Sequence, residues 1–218
     1  MEAGQVEPET SLSRLADRAK ARGIRTETYV ASGPVAQALD MLTRELDADL
    51  LVLSTHGLSG VHRFMLGSNA SATIQLATRP VLLLRPQALA AGETPQVTRV
   101  LAPLDGSGFA EQVLPWVQAF ANVSNAEMIL LAVPEVPEPA LYGAMREAVE
   151  ELRERAELNS RRYIEGVAKQ LQELGVNARP MVSGSRPATA ILEIAEREHV
   201  DVIMLATHGR GGMDRLVI

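Results

Sequence analysis

Glycine, histidine and serine residues recur at fixed spacing in two stretches of this chain. The first stretch, residues 51–68, reads LVLSTHGLSGVHRFMLGS, and the second, residues 204–218, reads MLATHGRGGMDRLVI. In the first stretch nine residues separate Gly57 from Gly67 and Ser68. Glycines let a backbone approach a ligand closely, and the free amides at the start of a helix attract anions. The spacing therefore predicts a cradle for phosphate groups.

An apolar run precedes each of these glycine turns. The runs Asp49-Leu-Leu-Val-Leu and Asp201-Val-Ile-Met-Leu are typical of strands that are buried on both faces of a parallel sheet. Each run is followed by Thr-His-Gly, which predicts a turn at the end of the strand. Ser68 is placed to cap a helix predicted over residues 69–78, whose first amides otherwise lack partners. A helix cap and a turn are also the simplest structural explanation of Gly57, Gly67 and Ser68.

The elements around the two stretches are duplicated. The segment from Gly23 to Gly57 matches the segment from Gly175 to Gly209 element for element, which indicates an internal repeat of domain size. Strands that alternate with helices predict an α/β fold with doubly wound, Rossmann-like parallel sheets in two repeats. The predicted domains are a first lobe, residues 1–86, and a second lobe, residues 97–218. They are joined by a linker over residues 87–96 that is rich in Ala, Pro and Gly.

The hydrophobic and turn patterns place elements along the whole chain. Helices are predicted over residues 11–22, 35–46, 69–78, 109–123, 144–174 and 188–197. Strands are predicted over residues 24–31, 50–53, 81–84, 97–102, 127–133, 176–182 and 202–205.

The composition excludes several classes of function. A net charge of −6 argues against a nucleic-acid or anionic membrane partner. The absence of cysteine removes disulfides, thiolate chemistry and cysteine–zinc sites. The four histidines lack the close spacing of a metal cluster. The sequence has no apolar run of about 18 residues and begins with an acidic segment, so we predict a cytoplasmic location and no membrane association.

The two stretches and their flanking strands resemble the universal stress protein family in its tandem form, over roughly residues 22–86 and 97–218. The family's ATP-binding pattern is Gly-x-x-Gly, nine residues, then Gly-Ser or Gly-Thr. The first stretch matches this pattern with Ser54 in place of the first glycine. The second stretch has Ala206 at that place, and the sequence ends before the final Gly-Ser.

The resemblance also implies where a nucleotide would bind. Residues 100–107 resemble the family's opening strand, whose acidic turn at Asp105 lies near the ribose and phosphates. Residues 129–133 resemble its second strand, which ends in a residue that contacts adenine. The ligand implied is ATP with Mg²⁺, with AMP or another adenylate as alternatives, and Asp105 is the candidate metal contact through Mg-ATP. The binding residues implied are Pro103, Asp105, Val133, Leu53, Ser54, His56, Gly57, Gly67, Ser68, Leu205, Ala206, His208 and Gly209.

The function implied is that of a cytoplasmic stress-response protein that binds ATP as a regulatory ligand and forms a homodimer. The chain lacks a Gly-x4-Gly-Lys-Ser/Thr loop, and neither Thr-His-Gly turn offers the acid, base and nucleophile of a hydrolase. We therefore expect no enzyme activity beyond slow, incidental ATP hydrolysis. The alternative is a dimerisation or interaction module of the same fold that binds no nucleotide. An adenylate-forming or nucleotide-transferring enzyme is a third and weaker hypothesis, because it needs catalytic basic residues that we cannot place in the loops.

The order of strands raises a question about assembly. Sheets of this family have the strand order 3-2-1-4-5. The first lobe contains candidates for strands 3, 4 and 5, and the second lobe contains candidates for strands 1 to 4. Either the ends of a longer tandem protein are absent from this sequence, which we favour, or the two lobes complete each other. Completion predicts that residues 97–102 pair with a strand of the first lobe and that residues 81–84 join a sheet built partly from the second lobe.

Overall fold

The computed structural model describes residues 8–54, 67–84, 96–134, 146–208 and 214–217. Its helices are α1 (Pro8–Lys20), α2 (Val35–Glu45), α3 (Ser68–Leu76), α4 (Leu114–Ser124), α5 (Arg146–Glu173) and α6 (Pro187–Arg197). Its strands are β1 (Leu51–Ser54), β2 (Val81–Leu84), β3 (Arg99–Leu104), β4 (Glu127–Ala132), β5 (Ala178–Val182), β6 (Val202–Ile203), β7 (Leu205–His208) and β8 (Asp214–Val217). A short 3-10 helix, Ala110–Val113, leads into α4. The predicted linker falls almost wholly outside the described residues.

The second-lobe sheet has the strand order β5-β4-β3-β6, and all its neighbouring strands are parallel. The longest pairing runs between β3 and β4, from Arg99 opposite Glu127 to Leu104 opposite Ala132. This is the 3-2-1-4 part of the order that the resemblance implies. The predicted α/β fold with doubly wound parallel strands is therefore confirmed.

Helices cover both faces of the second-lobe sheet. Val100, Ala102 and Leu104 point to one face, where they pack in a cluster with side chains of α4 and α5. Leu101 and its neighbours on β4 point to the other face, where Ala190 and Ile194 of α6 complete a second cluster. Strands buried on two faces need apolar residues at successive positions, which explains the continuous run MILLA in β4.

The other sheet combines β1 and β2 of the first lobe with β7 and β8 of the second, in the order β1-β2-β8-β7. β1 and β2 are parallel from Leu51–Val81 to Ser54–Leu84. β8 pairs with β2 in parallel through Val217 and Val81, and it pairs with β7 in antiparallel orientation. The prediction of one strand over residues 202–205 is wrong, because β6 ends at Ile203 and β7 begins at Leu205.

The pairing of β3 contradicts the lobe-completion hypothesis in the form predicted. β3 pairs with β4 along one edge and with β6 along the other, and both belong to the second lobe. Its two edges are thus occupied, which leaves no place for a first-lobe strand beside it. β2 does pair with β8 of the second lobe, so residues 81–84 join a sheet built partly from that lobe, as completion predicted, although residues 97–102 do not pair with the first lobe.

Two predictions for the first lobe are wrong. Residues 24–31 were predicted to form a strand but are assigned to none, and Ile24 and Val30 are 55% and 59% exposed. β1 was predicted to be buried on both faces, but Val52 is 49% exposed and burial alternates along the strand. A strand forms only with a neighbour that pairs with it, and the described part of the first lobe contains no counterpart of β3 or β4.

Candidate functional site

The strand order of the second-lobe sheet reverses between β3 and β6. The chain proceeds outward from β3 through β4 to β5, and α6 then carries it back to the other side of β3. Ligands of open parallel sheets bind outside the carboxyl ends of the strands at such a switch point. The described residues that directly follow β3, β4 and β6 therefore form the candidate site.

The turn after β3 is exposed and closed by its own side chains. Asp105 Oδ1 accepts a hydrogen bond of 2.8 Å from the Ser107 amide, and Ser107 Oγ accepts one of 3.1 Å from the Ala110 amide. Gly106 has φ +83°, a left-handed conformation that favours glycine. The Asp105 carboxylate thus closes the turn, while the Ser107 side chain bonds to the start of the 3-10 helix.

Tyr163 of α5 reaches this turn, although sequence reasoning missed it. Its hydroxyl donates a hydrogen bond of 3.0 Å to Glu111 Oε1, and its ring packs against the core cluster of α4 and α5. Burial, the hydrogen bond and charge of Glu111, and the charge of Asp105 raise the pKa of Tyr163, outweighing the opposite effect of the Gly106 amide. Tyr163 therefore remains a protonated hydrogen-bond donor at neutral pH.

The remaining second-lobe candidates lie beside this turn or at the same edge. Val133 follows β4, is half-buried and packs against the cluster on the α6 face. Pro103 is half-buried within β3. Leu205 and Ala206 are half-buried in β7, which contacts β3 and the 3-10 helix.

The predicted Thr-His-Gly turn of the second stretch is wrong at its first two positions. Thr207 and His208 belong to β7, where they pair with Arg215 and Asp214 of β8. Backbone groups committed to a strand pair cannot also form the predicted turn. Gly209 lies outside the described residues.

The first-lobe candidates lie in a different sheet. Leu53 is half-buried and Ser54 exposed at the carboxyl end of β1, while Gly67 and Ser68 begin α3. The main contacts of β1 are with β2, and those of α3 are with α2. Two further candidates, His56 and Gly57, lie outside the described residues.

The prediction that Ser68 caps α3 is wrong. α3 begins at Ser68 itself, and the preceding Gly67 occupies the N-cap position without a side-chain hydrogen bond. A cap must precede the first helical residue so that its side chain can reach the amides that follow. The start of α3 therefore presents backbone groups rather than a capping hydroxyl.

Charged side chains at the opposite, amino-terminal edge of the second-lobe sheet are engaged with one another. Arg179 contacts Glu127 and Glu198, each at 2.7 Å, and Arg99 contacts Glu127 at 3.4 Å. These pairs tie together the starts of three strands and the end of α6.

In the part of the chain that the structure describes, no cluster of three or more His, Asp or Glu side chains could hold a metal ion. Among the same residues, no helix has both the length and the apolar character to cross a membrane.

A parallel sheet covered by helices on both faces, with a candidate site at its switch point, defines a Rossmann-like α/β protein. The model of the universal stress protein family matches residues 1–85 and 96–218. The chain belongs to the universal stress protein family, as the sequence resemblance predicted.

Curated relatives match over different parts of the chain. Universal stress protein MJ0577 of Methanocaldococcus jannaschii is 26% identical over 133 residues, which cover 55% of this chain and 82% of the relative. Universal stress protein Rv2005c of Mycobacterium tuberculosis is 26% identical over 175 residues, which cover 79% of this chain and 56% of the relative. Apart from MJ0577, this chain spans about half the length of the curated relatives that it matches, from 50% to 56%.

Solved structures show the same fold. A putative universal stress protein from Pseudomonas aeruginosa matches with a TM-score of 0.61 and 14% identity over 99% of this chain and 79% of its own. A universal stress protein from Archaeoglobus fulgidus matches with a TM-score of 0.59 and 18% identity over 89% of this chain and 63% of its own. Universal stress proteins solved with cAMP and with AMP have TM-scores of 0.31 and 0.32, too low for their ligands to bear on this chain.

Proposed function

We propose that this universal stress protein acts in the cytoplasm and binds ATP with Mg²⁺ as a regulatory ligand. The observation that supports this function best is the switch point between β3 and β6, where the exposed Asp105 turn follows β3. AMP or another adenylate would use the same adenine and ribose contacts. Family membership establishes the class of protein, and the ligand and its binding site are our proposal.

The residues at this edge fit the parts of Mg-ATP. Carboxylates such as that of Asp105 suit Mg²⁺ or the hydroxyl groups of a ribose. The half-buried, apolar side chain of Val133 offers surface to an adenine ring. Backbone amides at a helix start attract phosphates, and the start of α3, at Gly67 and Ser68, offers them away from this edge, in the first lobe.

We propose binding rather than dedicated catalysis. A hydrolase needs a general base that is positioned on the attacking water. The carboxylates of Asp105 and Glu111 instead accept hydrogen bonds from Ser107 and Tyr163. Any hydrolysis of ATP is then slow and incidental to its role as a ligand.

Asp105→Asn is expected to weaken Mg-ATP binding about tenfold, which corresponds to ~1.4 kcal/mol. The asparagine oxygen can still accept the hydrogen bond from Ser107, so the turn is kept while the charge is lost. Calorimetric titration with ATP, with and without Mg²⁺, measures the change. Asp49→Asn, at an exposed residue before β1, is the matched control. Equal affinity of Asp105→Asn and wild type in Mg²⁺ would show that the metal or ribose role is wrong.

The alternative is an interaction module of the same fold that works as a homodimer without nucleotide. Exposed apolar side chains on the first lobe favour it, including Ile24, Val30 and Val52, which are 55%, 59% and 49% exposed. Mass spectrometry of small molecules released when the purified protein is denatured separates the two functions. Release of adenine nucleotide supports the ATP proposal, whereas a dimer that releases none supports the alternative.

A further inference from the structure

Tyr163 connects the packed core of the second lobe to the candidate nucleotide site. Its ring packs against the cluster that contains Ile164, Val167 and Leu171 of the same helix. Its hydroxyl extends to Glu111 Oε1 at 3.0 Å. A core-anchored aromatic ring with a polar tip holds that tip in a defined place, so Glu111 has a fixed hydrogen-bond donor.

A chain of hydrogen bonds leads from Tyr163 to Asp105. The Tyr163 hydroxyl donates to the Glu111 side chain at 3.0 Å, and the Glu111 amide donates to the Ser107 carbonyl at 3.2 Å. The Ser107 amide in turn donates to Asp105 Oδ1 at 2.8 Å. Glu111 therefore lies between the two groups, with its side chain bonded to Tyr163 and its backbone bonded to the turn that carries Asp105.

The negative charge of Glu111 affects how an anionic ligand binds near the Asp105 turn. Asp105 and Glu111 place two carboxylates near one turn, and a carboxylate that faces a phosphate repels it. The hydrogen bond from Tyr163 holds the half-buried Glu111 side chain in one orientation. Without this donor, Glu111 could rotate toward the exposed edge, where its negative charge would oppose the phosphates of a nucleotide whose ribose or Mg²⁺ lies at Asp105.

We propose that Tyr163 is a positioning residue of the nucleotide site, which restrains the Glu111 carboxylate so that a phosphate-bearing ligand is accepted beside the Asp105 turn. This inference rests on the proposed nucleotide function and adds a residue to it. Tyr163 acts through Glu111, so its effect increases with the negative charge of the ligand. Binding of ATP depends on it strongly, and binding of adenosine does not.

Tyr163→Phe tests the inference because it removes the hydroxyl and keeps the ring. We expect the Kd for Mg-ATP to rise about five- to tenfold and the Kd for adenosine to stay the same, both measured by calorimetry. Tyr163→Phe combined with Glu111→Gln should recover most of the ATP affinity, since the unrestrained side chain then carries no charge. A purely structural role of the hydroxyl predicts no such recovery. Tyr29→Phe is the matched control, because it removes a hydroxyl that bonds to Glu27 on an exposed part of the first lobe.

The possible results separate this inference from the proposed function. If the wild type binds neither ATP nor adenosine, the proposed function fails and the inference fails with it. If the wild type binds ATP and Tyr163→Phe binds it equally well, only the inference is overturned. Equal weakening for ATP and adenosine, or no recovery in the double variant, also overturns the inference alone.

Discussion

Gly67→Val is expected to abolish binding of Mg-ATP through the first-lobe glycine stretch, with a loss of affinity of more than about a hundredfold. Gly67 is the N-cap residue of α3 and has φ −58° and ψ 148°, a conformation that any residue adopts. Backbone geometry therefore does not require glycine at this position. Close approach of a ligand to the backbone would require it, and a branched side chain would then occupy the place of a phosphate.

Because valine can adopt the backbone conformation of Gly67, Gly67→Val tests ligand binding without disrupting the fold. The variant should fold with the far-ultraviolet circular dichroism of the wild type, and its thermal transition should fall only slightly, because valine is a poorer N-cap residue than glycine. Gly166→Val is the matched control, because a Cβ added at Gly166 on α5 would meet no heavy atom within 4 Å beyond the neighbouring backbone of its own helix. Calorimetric titration with Mg-ATP compares the three proteins.

Unchanged affinity in Gly67→Val would contradict a role for the first stretch. Comparison with Asp105→Asn then assigns the site to a lobe, because the two residues lie in different lobes of the chain. Loss in Gly67→Val alone indicates the first lobe, and loss in Asp105→Asn alone indicates the edge of the second-lobe sheet. Loss in both variants indicates that each lobe contributes to binding.

The second lobe follows its sequence pattern closely. β4 was predicted over residues 127–133 and extends over Glu127–Ala132, and α5 was predicted over residues 144–174 and extends over Arg146–Glu173. Between β3 and α6, apolar runs bounded by glycine or proline predict the elements well because these strands pair within the same lobe. Local preference and tertiary pairing agree there. Beyond Ile203 the prediction fails, since β8 pairs with β2 of the first lobe.

The first lobe shows what a sequence pattern cannot determine. Val52 and Met204 occupy equivalent positions of the repeat, but Val52 is 49% exposed and Met204 is fully buried. Ile24 and Val176 are another equivalent pair, with exposures of 55% and 3%. An apolar run indicates that a segment is stable as a strand once a neighbouring strand pairs with it and other elements bury its faces. Whether the strand is paired and covered depends on elements that lie elsewhere in the sequence.

The candidate site was predictable to a similar degree. The position of Asp105 at a strand end follows from the apolar run before it, and the structure places the residue there. The contact of Tyr163 with Glu111 joins residues 52 positions apart, so only the packing of α5 on the sheet brings them together. One face of α5 carries Tyr163, Val167 and Leu171 at i, i+4 and i+8. The hydroxyl group of a tyrosine in this otherwise apolar row is the sequence signal that could have identified Tyr163.

Asp201→Ala is expected to lower the free energy of unfolding by about 2 kcal/mol at neutral pH, where hydrogen bonds to a charged group contribute most. Asp201 Oδ2 accepts hydrogen bonds from the Thr98 amide at 2.7 Å, and from the Thr98 hydroxyl and the Arg99 amide at 3.0 Å each. The Asp201 amide also donates to the Arg99 carbonyl at 2.9 Å. The carboxylate thus joins the start of β6 to the start of β3, and its removal leaves two amides without their acceptor.

The effect of Asp201→Ala should depend on pH. Burial raises the pKa of Asp201, but the hydrogen bonds from Thr98 and Arg99 outweigh it and hold the pKa below its usual value. A carboxyl group with a depressed pKa stabilises the fold fully above its unfolded-state pKa of about 4. That stabilisation is lost as the pH falls through the lower, folded-state pKa. The wild type and Asp201→Ala should therefore differ most near pH ~7 and converge at strongly acidic pH.

The internal repeat supplies the control for Asp201. Asp49 occupies the equivalent position before β1, and the described part of the first lobe contains no counterpart of β3 for it to join, so Asp49→Ala should change the free energy of unfolding by less than about 0.5 kcal/mol. Urea unfolding of the wild type and the two variants, at about pH 7 and again at about pH 3, measures both effects. A loss in Asp201→Ala that is the same at both pH values would indicate that packing, rather than the carboxylate's hydrogen bonds, joins β6 to β3. If Asp201→Ala and Asp49→Ala lowered the free energy of unfolding equally, the hydrogen bonds between Asp201 and the start of β3 would not be the cause of the loss.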